Sequence, residues 1–87
     1  MQNPINVKVD LEANAAYVRY QPSSGGERFA RNERLSQDVV IDFDADSQVL
    51  GIEALAFDAE AIGVARRFAE AHDLGFPRDL AGALVAA

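Results

Sequence analysis

Cysteine is missing from this chain, so disulfides, zinc–thiolate sites and thiol nucleophiles are excluded. That absence suits a reducing compartment. Tryptophan is missing too, and histidine occurs once, at His72. No apolar run approaches the ~18 residues of a membrane span. The opening MQNPINVKVD has no basic stretch followed by an apolar one, so it does not read as a secretory signal. A cytoplasmic protein is expected. Basic residues are scarce: eight Lys and Arg stand against 14 Asp and Glu, for a net charge of −6. That balance argues against broad binding to nucleic acid, whose phosphates demand cationic patches. It suits solubility, and it would also suit a basic protein partner. The 87 residues make one small domain, with residues 5–56 as sheet and 58–87 as a helical portion.

What is present is strand patterning. Ile5, Val7 and Val9 alternate with Asn6, Lys8 and Asp10, as in a half-buried strand. After a short connection, where Asn14 suits a left-handed backbone, Ala16, Val18 and Tyr20 alternate with Tyr17 and Arg19. QPSSGGE at 21–27 reads as a plain loop. Gly25-Gly26 lacks the Lys and Ser or Thr of a phosphate cradle. RFARNERL at 28–35 reads as a charged edge strand, with Glu27 and Glu33 diluting its arginines. Gripping a phosphate or nucleic acid through Arg28, Arg31 and Arg34 is the weaker reading.

DVVIDFDADSQVLGIEAL, residues 38–55, is the central feature. Two apolar runs flank a polar knot, the pattern of a β-hairpin whose turn is held by Asp46 and Ser47 bonding to nearby backbone. The same stretch approaches a calcium loop, with Asp42, Asp44 and Asp46 at positions one, three and five and Glu53 at twelve. Ser47 replaces the glycine that such a loop needs at its sharp turn, and the flanks are β-branched rather than helical. The hairpin is therefore preferred. Gly51, inside a strand, points to a bulge or a close backbone approach. Asp42 and Glu53 could form a carboxylate pair with one raised pKa, or simply face solvent.

After Asp58 as N-cap, AEAIGVARRFAEAHDLG reads as a helix ending at Gly75, with Ile62, Ala65, Phe68, Ala69 and His72 on its apolar face. Pro77 restarts a second helical segment, and the apolar tail PRDLAGALVAA calls for cover from the sheet, the first helix or a second copy of the chain.

VKVDLEANAAYVRY and VVIDFDADSQVLGIEAL together resemble the DUF2283 family of small bacterial proteins over about residues 5–56. The matching positions are Ala16-Tyr17-Val18, then Asp42, Asp44, Gly51, Ile52 and Glu53. The departures are Ser47-Gln48 in the turn, the longer stretch at 21–35, and the helical tail. The resemblance implies a compact antiparallel sheet and no established activity. The family's neighbourhood with toxin-like genes implies an antitoxin or partner-binding role.

The residues needed for catalysis are few. His72 has no neighbour in the pattern to orient it. Ser23, Ser24, Ser36 and Ser47 lie in turn contexts, without a nucleophile elbow. The reading is an α+β fold, an antiparallel meander of four or five strands with one or two C-terminal helices packed on one face. No catalytic residue, cofactor or metal site is assigned. The expected function is a non-enzymatic protein-interaction module, homodimeric and antitoxin-like. The alternative is a small-ligand or calcium-binding domain using Asp42, Asp44, Asp46 and Glu53.

Overall fold

The computed structural model describes residues 1–22 and 29–80. Five strands among these residues, β1 (Asn6–Asp10), β2 (Ala15–Arg19), β3 (Phe29–Ser36), β4 (Val39–Asp44) and β5 (Val49–Ala54), are followed by the helix α1 (Ala59–Ala71). All strand pairs are antiparallel. The expected α+β fold, a helix packed on one face of an antiparallel sheet, is what forms. Its order is β1-β2-β5-β4-β3. The expected meander is limited to β3, β4 and β5, because the β1–β2 hairpin joins on the far side of β5 instead of pairing β2 with β3. Strands β2 to β5 thus have a Greek-key arrangement.

Alternation places Ala16 and Val18 of β2 with Tyr20 just beyond it, Ile52 and Ala54 of β5, and Val39, Ile41 and Phe43 of β4 in one buried cluster. Ala61, Ile62, Ala65 and Ala69 of α1 close it from the other side. Three of these four helix residues are alanine, so the helix backbone can approach the sheet closely, over β5, β4 and β3.

Local chemistry sets the element ends. Asn14 takes the left-handed backbone expected of it, with φ 54°, and the Asp10 carboxylate accepts from Ala13 N–H beside it. Asp58 caps α1, its carboxylate accepting from Ala61 N–H at 2.8 Å. The helix does not run on to Gly75. It ends at Ala71 with His72 as C-cap, and Asp73 takes the left-handed position at φ 56°. Leu74 N–H then reaches Ala69 C=O at 2.8 Å and Asp73 N–H reaches Glu70 C=O at 3.3 Å, the two bonds of a Schellman motif. Ending there drops Leu74 into the core. Gly75 serves another purpose, since Asn3 passes where its Cβ would stand and its N–H donates to Gln2 C=O. Below it, the Tyr20 hydroxyl donates to Gly75 C=O at 2.7 Å.

Two burial expectations change. Strand β1 is exposed along its whole length rather than half-buried. His72 is exposed rather than part of the packed helix face; its ring stacks on Phe68 and its Nδ1 lies 2.9 Å from Phe68 C=O. Residues 78–80 are helical after Pro77, and Leu80 is buried. The rest of the apolar tail, like the Gly25-Gly26 loop and Arg28, lies outside the described residues. No helix among the described residues is long and apolar enough to cross a membrane.

Candidate functional site on the open sheet face

Each strand's second set of side chains points away from α1. Strand pairing aligns them into two rows. Lys8, Tyr17, Glu53, Val40 and Arg34 form one, and Asn6, Arg19, Gly51, Asp42 and Asn32 the other. Among the described residues no element packs over this face.

Gly51 organises its centre. The Tyr17 ring lies over it, occupying the space that any Cβ at residue 51 would need. From there the Tyr17 hydroxyl donates to Asp42 Oδ2 at 2.9 Å. The Arg19 guanidinium sits over the Tyr17 ring, 5.1 Å from its centroid. The ring therefore bridges three strands, rooted in β2, crossing β5 at its glycine and bonding to β4. Gly51 fulfils both readings of a glycine in a strand. It receives a close approach, and the β4–β5 register shifts between Asp42 and Phe43 beside it.

Burial pushes the Tyr17 phenol far above its ordinary range. The hydrogen bond to Asp42 and the Asp42 charge add to that; Glu53 contributes in the same direction and Arg19 opposes. Tyr17 thus stays protonated at neutral pH and acts as a fixed donor, not as a base. Asp42 and Glu53 flank it on the same face: Asp42 bonds to the tyrosine, and Glu53 stands opposite Tyr17 and Val40.

The carboxylates of the calcium-like pattern do not converge. Among the described residues no group of three or more His, Asp or Glu comes together to hold a metal ion. Asp42 is held by Tyr17, whereas Asp44 turns into the β4–β5 turn, where its Oδ1 accepts from Asp46 N–H and Gln48 N–H, each at 2.9 Å. Asp44, rather than Asp46 or Ser47, is therefore the residue that holds the turn. Ser47 supplies the left-handed backbone at φ 61°, where glycine would be easier. Asp46 is exposed.

The arginines of β3 are engaged locally. The Arg31 guanidinium stacks 4.2 Å from the Phe43 ring centroid and reaches Glu33 and Ser47 Oγ. Arg34 donates to Gln37 C=O at 2.6 Å. These contacts fit the charged-edge reading of this strand.

A family model matches residues 6–57, which is the whole sheet from β1 through β5 and none of α1. The chain belongs to the DUF2283 family. That family is described as proteins of unknown function. No curated protein and no solved structure matches this DUF2283 chain. The match spans the residues of the open-face cluster: Tyr17, Arg19, Asp42, Gly51 and Glu53 all fall inside it. The pairing of Tyr17 with Gly51 was not readable from the sequence. The signal was half present, because a glycine inside a strand asks for a neighbour. Naming that neighbour requires knowing that β2 pairs with β5.

Proposed function

We propose that this DUF2283 protein is a non-enzymatic interaction module that acts as a homodimer and presents the open face of its sheet to a protein partner. The observation that carries the reading is the cluster on that face. Tyr17 is locked by Gly51 beneath it and Asp42 beside it, so a large amphipathic ring, the arginine over it and the carboxylate bonded to it are presented with little rotamer freedom left to lose. Tyrosine and arginine are the residue types that anchor interfaces. The net charge of −6 favours a basic partner, and an antitoxin-like role is the biological setting that the family resemblance implies.

The test is co-purification of the tagged chain from its own cells, followed by reconstitution of the complex with the purified candidate. Tyr17→Ala and Arg19→Ala are expected to weaken the reconstituted complex by about tenfold or more each, with the fold retained. A complex indifferent to both substitutions removes the open face from the proposal. Light scattering that finds only monomer at every concentration removes the homodimer.

A further inference from the structure

We propose that the free edge of β1 pairs with the β1 edge of a second copy in one register, centred on Val9, joining two five-stranded sheets into one of ten strands. This inference rests on the homodimer reading above and gives it a surface.

The direction of the backbone groups comes first. Tyr20 N–H donates to Leu50 C=O, so Ala16 and Val18, two and four residues back, also turn their backbone groups to β5. Tyr17 and Arg19 then turn theirs to β1 and satisfy Lys8 and Asn6. Val7 and Val9 are left with N–H and C=O pointing off the sheet. Their side chains lie on the α1 side of the sheet, yet Val7 is 38% and Val9 43% exposed, and the turn residue Leu11 is 80% exposed. Val7 and Val9 also border a mostly apolar groove of about 320 Å³, lined on its far side by Phe57, Pro77, Asp79 and Leu80.

The two edges of the sheet differ. Strand β3 is broken by register shifts at both ends, and its charged side chains blunt it. Strand β1 keeps an unbroken register over all five residues. It is the edge able to accept another strand.

Charge then selects the register. With Val9 opposite Val9 on the two-fold axis, Val7 meets Leu11 on the apolar side. Lys8 meets Asp10 on the other side, twice by symmetry. Centring the pair on Lys8 sets lysine against lysine, and centring it on Asp10 sets aspartate against aspartate, both unfavourable for directly opposed residues. Centring on Val7 leaves Lys8 opposite Asn6. Only the Val9 register pairs opposite charges on one side and apolar side chains on the other, with the outward N–H and C=O of Val9 forming the central hydrogen-bonded pair. A five-residue edge makes a small interface, so the dimer should dissociate on dilution.

Sedimentation velocity on the full chain across a dilution series tests this, with thermal melting of each variant as the folding control. The unaltered chain is expected to pass from dimer to monomer. Val9→Pro removes an outward N–H that no described residue of the protomer uses, and is expected to raise the dimer dissociation constant by about tenfold or more. Asn32→Pro makes the same change on the outward side of β3 and is expected to leave it unaltered. Lys8→Asp is expected to weaken the dimer, and Lys8→Asp with Asp10→Lys to restore it; this pair also decides the matter should Val9→Pro not fold. A dimer that survives Val9→Pro and Lys8→Asp, or that breaks with Asn32→Pro instead, overturns the β1 interface while leaving the homodimer standing. A chain that is monomeric throughout overturns both.

Discussion

Tyr17 and Gly51 behave as one unit, because the ring occupies the volume that a side chain at 51 would take. Gly51→Ala is expected to push the ring off its hydrogen bond to Asp42 and to cost about 1–3 kcal/mol in chemical denaturation. In a Tyr17→Ala background the same substitution is expected to lose most of that cost, since the three atoms nearest to a side chain at residue 51 all belong to that tyrosine. A strongly non-additive double-mutant cycle is the expected signature; two additive changes would mean that the ring does not hold this site. The strand glycine was legible in the sequence, and so was its need for a close neighbour. The neighbour was not, because 34 positions separate the two residues and only sheet order brings them together.

At the scale of elements, period-two alternation marked β1 and β2, a charged edge pattern marked β3, and two apolar runs around a polar knot marked β4 and β5. Asp58 and Asn14 were legible because capping and left-handed turns act over three or four residues. What misled was competition between equally plausible local signals. Gly75 looked like the end of α1, yet the helix stops where Leu74 can reach the core, and Asp73 accepts the strained backbone instead. Asp46 looked like the residue that holds the turn, yet the hairpin gives that work to Asp44. Asp44→Ala removes an acceptor shared by two backbone N–H groups and is expected to cost about 1–2 kcal/mol. Asp46→Ala, at an exposed turn position, is expected to stay within about 0.5 kcal/mol. Thermal melting of the two variants side by side separates a turn built on Asp44 from one built on Asp46. Calorimetric titration with calcium is expected to give no binding heat, because Asp42 and Asp44 are held apart by different partners.

For the whole molecule, the two tyrosines make stability sensitive to alkali. Tyr20 is buried with its hydroxyl on Gly75 C=O, and burial pushes its phenol from 10.0 up to about 12. Its folded-state value lies above its unfolded one, so its neutral form stabilises the fold fully below pH 10 and that contribution disappears as pH rises through about 12. Tyr17 shifts in the same direction. The melting temperature is therefore expected to fall between pH 10 and 12, and to fall less in Tyr20→Phe, which has no proton to lose at that site. A Tyr20→Phe variant with an unchanged alkaline slope would assign the effect elsewhere. The fold class was legible at this scale, but the order of the strands was not. Nothing local distinguishes a β2 that pairs with β3 from one that pairs with β5.

That strand order has a consequence for how the chain assembles. The β1–β2 hairpin and the β3–β4–β5 meander each join neighbours in sequence, so each closes short loops. The joint between β2 and β5 must instead bring Arg19 to Gly51 across the whole of β3 and β4, and it bears the larger entropic cost of closure. The sheet thus has a seam. It is expected to close last as the protein folds, and Tyr17, reaching over Gly51 to Asp42, is the rivet across it.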